Sequence, residues 1–367
     1  MLELSDAALV GSVAAVLGTP RATPSSFLIH APLELLARAA LLPHVAPGSR
    51  PAARQRLVDL AATYLAQPGV VGPAPVRAFD SSEVALAQLV AALDAGEPED
   101  VDAAASWLIA HLDVRSLRRA LLPAVVAHAG LAAHAPILFG ELGRVAERFE
   151  GLAGLLRAPL RFLCATKARV STHAAPGTLD AGTLTRRLRH LPRVTSGSTS
   201  IAPTLAAVSQ LAPEVLRGLG SLCSLEVRRV LLRVAAQSMV EDDPAHAPYG
   251  WSHCLTLPLG ILDNLDVVKD GRGALVVAAT HVVAFRATLS KGELRDAWEP
   301  SAELRQRYAP GERRASLEAL ATYAALHPDA HLVKYTRACL DAAAFEPEAE
   351  LLFFAAAEHL AAWWRAQ

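Results

Sequence analysis

Lys334 stands three residues after His331 in His327-Pro-Asp-Ala-His331-Leu-Val-Lys334-Tyr335. The chain carries 35 basic residues, and only Lys167, Lys269, Lys291 and Lys334 are lysine. Arginine serves nearly everywhere else, so a lysine among histidines in an apolar segment points to chemistry that arginine cannot perform. A buried lysine sheds its proton near neutral pH and becomes a nucleophilic amine. Pro328-Asp329 suits the first turn of a helix, which places His331 and Lys334 on one face. An ammonium there would repel a metal. A neutral amine could ligate through nitrogen or add CO₂ to form a carbamate, an anionic oxygen donor where few Asp or Glu residues are in view. The competing expectation is a lysine snorkelling to the surface beside Asp341.

Six histidines lie in apolar helical surroundings: His30, His128, His134, His253, His281 and His331. One such histidine is ordinarily a hydrogen-bonded core residue. Six of them suggest a metal centre built mainly of imidazoles, suited to Fe, Zn, Cu or Ni. Other motifs are absent. No GxGxxG follows a strand, and there is no P-loop, HExxH, GxSxG or Glu-x-x-His. His111-Leu-Asp113 has the His-x-Asp spelling of a facial triad, but a helix would turn the two side chains apart. NADPH stays open as a reductant, without any dinucleotide-binding motif to hold it.

These residues need helices to position them. Apolar periodicity predicts helices near 24–42, to 66, to 94, 97–112 and from 114 onward. It predicts further helices at 151–165, 180–190, 201–219, 224–239, 273–289, 314–326, 328–343 and 346–365. Val276–Val283 is the one β-leaning run. The expected fold is all-α, a single large multi-helix domain over 1–367 with kinked helices around a central metal and substrate pocket. A surface excursion is expected at about 171–200 and a long loop at about 240–250. His30-Ala-Pro32 and His134-Ala-Pro136 form a weak repeat, each proline expected to kink a helix behind an inward histidine.

Composition narrows the class. Apolar residues make up 52% and charged residues 19%, so a large core is available. The net charge of −1 carries no nucleic-acid footprint. Cys164, Cys223, Cys254 and Cys339 are widely spaced, as reduced thiols of a cytoplasmic protein would be. The N-terminal residues lack the basic region of a signal peptide. Leu121–Gly140 is uncharged and near bilayer-spanning length, but its histidines and prolines favour a buried central helix over a membrane span.

Four blocks carry a family resemblance: Phe27-Leu-Ile-His30, His128-Ala-Gly-Leu-Ala-Ala-His134, Gly250-Trp-Ser-His253-Cys-Leu-Thr256 and His331-Leu-Val-Lys334-Tyr-Thr-Arg337-Ala338. In this order they resemble the recurrent blocks of the questin oxidase-like family. That family is helical and includes fungal enzymes that open anthraquinone rings by oxygen insertion. Its members are described variously as Baeyer–Villiger-type oxidases and as non-haem iron dioxygenases. The resemblance implies His30, His134, His253 and His331 as imidazole ligands to iron, with Lys334 as a carboxylated fifth ligand. His128 stands as the alternative to His134, since the spacing in that block departs from the family's. His281 lies outside the blocks and is held in reserve. Both are carried as candidate catalytic residues. Five ligands would leave one octahedral position for O₂ or substrate, and Trp251, Tyr335 and Trp107 are candidate walls for a small aromatic substrate.

The expectation is thus a cytoplasmic, iron- and O₂-dependent oxygenase acting on a polycyclic aromatic or quinone-like compound. One competing reading is a metal-dependent hydrolase with a carbamylated lysine, which would need a His-x-His and a second metal's carboxylates. Another is a non-catalytic helical scaffold whose histidines are simply packed.

Overall fold

The computed structural model describes residues 4–128, 134–165, 169–196, 200–268 and 271–367. Lys167, Lys269 and the interior of the 128–134 block lie outside the described residues. The described helices are α1 Asp6–Leu17, α2 Ser26–Leu41, α3 Arg50–Leu65, α4 Ser82–Ala95, α5 Pro98–His111, α6 Val114–Val125, α7 Ala135–Val145, α8 Arg157–Leu163 and α9 Ala181–Arg189. They continue with α10 Ile201–Ala207, α11 Leu211–Val215, α12 Ser224–Glu241, α13 Ser252–Leu262, α14 Gly271–Leu289, α15 Ala302–Arg307, α16 Arg313–Leu326, α17 Ala330–Phe345 and α18 Glu350–Arg365. No strand occurs among the described residues. Two isolated bridges, Arg21–Val70 and His128–Arg169, are the only β pairings there. The fold is all-α.

Local chemistry sets the helix ends. Ser25, Ser81, Asp113, Asp180, Ser301 and Asp329 each cap a helix with a side-chain oxygen accepting a backbone N–H. Ser25 therefore starts α2 at Ser26 rather than near residue 24 as expected. The expected long helix from 114 ends at Val125, and α7 begins at Ala135, so Leu121–Gly140 is not one helix. The β-leaning Val276–Val283 lies inside α14, where burial on all sides suits a continuous apolar run. Helices α1, α13 and α15 were not expected from periodicity. The 201–219 segment breaks into short turns of helix. Two helical stretches, Ser26–His44 and Gly271–Leu289, are long and apolar enough to cross a membrane by length and composition, and both are mostly buried here.

The prolines play different parts. Pro32 sits inside α2, two residues past His30, and removes one backbone hydrogen bond there. Pro136 instead occupies the first turn of α7, where no bond is lost. The two His-Ala-Pro segments are therefore not structural equivalents.

Helices α2, α7, α13 and α17 form the central ring: α2 packs on α7 and α17, and α13 packs on the same two. Helices α7 and α13 touch backbone to backbone. A Cβ on Gly140 would lie 2.8 Å from the Gly260 carbonyl oxygen, and one on Gly260 would lie 2.6 Å from the Ile137 Cα. Glycine is required at both places because no side chain fits between the helices. Below this contact, Arg144 of α7 reaches Glu141 at 3.1 Å, Asp341 of α17 at 2.8 Å, and Asp263 at the end of α13. Arg38 of α2 is buried against Glu34 and donates to the carbonyls of Ala325 (2.5 Å) and His327 (2.7 Å), just before α17. Two arginines thus tie the four helices into one frame.

Gly140→Ala and Gly260→Ala are each expected to destabilise the protein by roughly 1–3 kcal/mol through overpacking. Gly48→Ala, with no atom within 4 Å of its added Cβ, is expected to be nearly neutral. Urea denaturation of the three variants checks this; tolerance at Gly140 and Gly260 would show that the helices do not meet as described.

Candidate metal centre

Each helix of the central ring delivers one histidine. His30 comes from the first turns of α2, His134 from the residue before α7, His253 from the start of α13 and His331 from the start of α17. Their ring centroids form a closed quadrilateral. His30 to His134 is 4.6 Å, His134 to His253 is 5.0 Å, His253 to His331 is 5.0 Å and His331 to His30 is 4.5 Å. The diagonal from His30 to His253 is 6.4 Å. His134, His253 and His331 are buried, and His30 is half-buried at the edge.

Hydrogen bonds select the tautomers. His30 Nδ1 lies 2.6 Å from the Ser26 carbonyl, and His253 Nδ1 lies 2.5 Å from the Tyr249 carbonyl. A carbonyl only accepts, so each Nδ1 carries the proton and each Nε2 presents a lone pair. His30 Nε2 has no hydrogen-bond partner although buried. His253 Nε2 faces His134 Nε2 at 3.1 Å. Two imidazole nitrogens on one metal at about 2.0–2.1 Å, with angles between tetrahedral and octahedral, lie roughly 2.9–3.4 Å apart. Candidate ligand atoms of His30, His134 and His253 all fall within 4.8 Å of one another, a group that could hold a metal ion. His331 closes the ring. Its Nδ1 lies 3.3 Å from Asp329 Oδ1, and the same carboxylate accepts the His331 backbone N–H at 2.7 Å. The ring nitrogen makes no hydrogen bond, so Asp329 caps α17 without fixing the His331 ring.

Lys334 is buried, only 2% exposed, and its Nζ has no hydrogen-bond partner. The expectation of a surface lysine beside Asp341 is overturned: Asp341 pairs with Arg337 and Arg144 instead. Burial pushes the Lys334 amine down to about 7, against the pull of Asp329, Glu34 and Glu141. Carboxylates are thus closer to the lysine than the sequence suggested. Glu34 is engaged by Arg38, Glu141 by Arg144, and Asp329 by backbone N–H groups. Burial and the nearby Lys334 also depress the imidazoles, His30 and His331 each to about 2 and His253 well below its usual value. The centre is a set of neutral nitrogen bases in an apolar interior.

His128 and His281 do not join this ring; neither has a ring contact with the four among the described residues. His128 lines a groove beside α4 and α6. His281 repeats the local pattern, with Nδ1 2.8 Å from the Val277 carbonyl and Nε2 unpartnered, and burial lowers it to about 4. His111 and Asp113 separate as expected: Asp113 caps α6, while His111 stacks on Trp107 at 3.9 Å.

Among the described residues, none of the three candidate walls has a ring contact with the four histidines. The Trp251 indole donates to the Asp243 carbonyl, Trp107 packs against Phe79 and His111, and the buried Tyr335 has no ring contact with the histidines. The aromatic neighbours are Tyr249, edge-on to His331 at 4.8 Å, and Phe285, stacked on His253 at 6.3 Å. Tyr249 falls within the expected 240–250 loop, whose end is a π-helical turn, Ala247–Trp251, of the kind that accumulates at functional sites. Its place four residues before His253, one helical turn away, was the available signal. Tyr249 is 54% exposed and stands between solvent and the ring. A cleft lined by Ile29, Leu33, Leu138 and Phe162 reaches His134 but holds only about 10 Å³, too little for an aromatic ring. No family model, curated protein or solved structure matches the chain.

The depressed bases set a pH dependence for the metal-free protein. Unfolded histidines take up protons below about pH 6.5, whereas the folded rings stay neutral to lower pH. The unfolded state then binds more protons, so stability rises with pH. Each ring contributes a slope of up to about 1.4 kcal/mol per pH unit in that window. Lys334, lowered from 10.5 to about 7, extends the same sign between those values. Metal-stripped protein is expected to resist urea far better at pH 8 than at pH 5. Equal stability at both would show that the rings are solvated rather than buried.

Proposed function

We propose that the chain is a non-haem iron oxygenase acting on a polycyclic aromatic or quinone-like compound, as the four-block resemblance to the questin oxidase-like family implies. The observation that carries this reading is the convergence of His30, His134, His253 and His331 beside a buried Lys334 without a hydrogen-bond partner. The donor set fits the group: neutral imidazoles suit iron, and an uncharged amine does not repel it. In this reading the four histidines hold the metal and Lys334 supplies the fifth donor, as a carbamate formed by addition of CO₂ to its neutral amine. Iron bound there would supply O₂ activation and electron transfer.

The protein's own residues have distinct tasks. The Ser26 and Tyr249 carbonyls hold the His30 and His253 rings in the ligating tautomer and orientation. The apolar packing around His253 excludes water. Tyr249, exposed and edge-on to His331, marks the side from which a flat substrate approaches. A carbamylated-lysine hydrolase is less well supported, since Glu34 and Asp329 are engaged by Arg38 and backbone N–H groups, and only Glu141 Oε2 is without a partner, one oxygen where a second metal needs several ligands.

Lys334→Arg keeps a long cation but neither ligates nor carbamylates. It is expected to abolish iron binding while the protein stays helical, read by elemental analysis and circular dichroism. Normal iron content in that variant would make the lysine structural. Wild-type protein loaded with iron is expected to consume O₂ in the presence of a hydroxylated anthraquinone. Bound zinc with turnover independent of O₂ would favour the hydrolase.

Asp329→Ala is expected to cost about 1 kcal/mol as a lost helix cap. Metal affinity is expected to stay unchanged, since His331 Nδ1 makes no hydrogen bond to this carboxylate. A loss of affinity beyond the loss of stability would show that Asp329 also orients the ring.

A further inference from the structure

A large groove lies away from the histidine ring. It holds about 1090 Å³ between α4 and α6 and contains none of the four ring histidines or Lys334. Along α4 it is lined by Leu86, Val90 and Leu93, and along α6 by Ala120, Pro123 and Ala124. Both helices end toward Arg169, which pairs with Asp94 of α4 and bridges to His128 beyond α6. From Ser82 to Asp94 the groove runs about 18 Å at the helical rise per residue. Its walls are aliphatic; no Phe, Tyr or Trp lines it.

Two polar groups in this apolar trough have no partner. His128 is 3% exposed, and neither ring nitrogen makes a hydrogen bond. A buried neutral imidazole left unbonded is unfavourable, and a ligand oxygen would recover the lost hydrogen bond. Arg119, nearer the start of α6, has no hydrogen-bond or ion-pair partner among the described residues. The other rim charges are engaged: Asp94 with Arg169, and Glu83 with Ser81 and its own backbone at the start of α4. Arg119 stands about 9 Å before the end of α6 at Val125, and His128 lies three residues beyond that end.

We propose that this groove is a second binding site, for an aliphatic chain bearing a carboxylate at one end and a hydroxyl or carbonyl oxygen at the other. The carboxylate pairs with Arg119, the methylene chain lies on the apolar walls, and the distal oxygen hydrogen-bonds His128. Absence of aromatic lining favours a flexible aliphatic chain over a flat ring. The site is independent of the metal reading, since it shares no residue with the histidine ring.

Calorimetric titration of the full chain with ω-hydroxydecanoate, decanoate and decan-1-ol, each below its aggregation concentration, tests the assignment. ω-Hydroxydecanoate is expected to bind one-to-one, about tenfold or more tighter than either analogue, as one charge-assisted or one buried hydrogen bond warrants. Arg119→Ala, at an exposed position, is expected to weaken both acids about tenfold and leave decan-1-ol unchanged. His128→Leu should erase the preference for ω-hydroxydecanoate over decanoate. Ala120→Trp should block all three ligands at unchanged metal content. Undiminished acid binding by Arg119→Ala, or a hydroxyl preference that survives His128→Leu, would overturn the proposal. So would binding that is not one-to-one.

Discussion

The structure depends on placing neutral nitrogen bases in an apolar interior. Water would protonate the imidazoles near neutrality and the lysine well above it. Burial lowers the imidazoles and brings the Lys334 amine down to about 7, and whenever that amine is protonated its charge lowers His30, His253 and His331 further. Lone pairs that point inward without donors are unstable in isolation, because buried polar groups are ordinarily satisfied. An electron-pair acceptor shared among them resolves that imbalance, and a metal cation is the acceptor whose size and valence match several imidazoles at once.

The frame that imposes this arrangement is made of close contacts and buried arginines. The Gly140–Gly260 contact brings α7 and α13 to backbone distance and carries His134 within 3.1 Å of His253. Arg38 joins α2 to the segment before α17, and so joins His30 to His331. Arg144 joins α7, α13 and α17 at the opposite end of the ring. Carbonyls four residues earlier turn the rings of His30 and His253: that of Ser26 in α2 and that of Tyr249 in the π-helical turn before α13. The orientation of these two rings is therefore set locally, and ring convergence between helices.

Much of this was legible in the sequence. Helical periodicity gave the all-α class, and the histidines and Lys334 stood out because their surroundings were apolar and lysine was otherwise rare. Helix α13 was missed because Trp251–Leu262 is apolar on every face and shows no amphipathic stripe. The span from 114 was read as one helix because the uncharged run Leu121–Gly140 hid the break after Val125. His128 looked like a ring histidine by spacing, yet the chain carries it into the α4–α6 groove. Tyr249 was read as loop because proline and glycine flank it, and the π-turn that fixes its carbonyl on His253 depends on packing against α12 and α17. The arginine clamps join residues hundreds of positions apart, as Arg38 does with Ala325, and no local pattern announces them.

X-ray absorption at the metal edge of the purified protein tests the central claim most directly. The account predicts one iron per chain with nitrogen and oxygen neighbours only, at about 2.0–2.2 Å as for imidazole and carboxylate ligands. The spectrum should show the outer-shell scattering of several imidazole rings, and the His253→Ala variant should lose it. Protein that takes up no metal after reconstitution, or whose metal is bound through sulfur, would contradict the account.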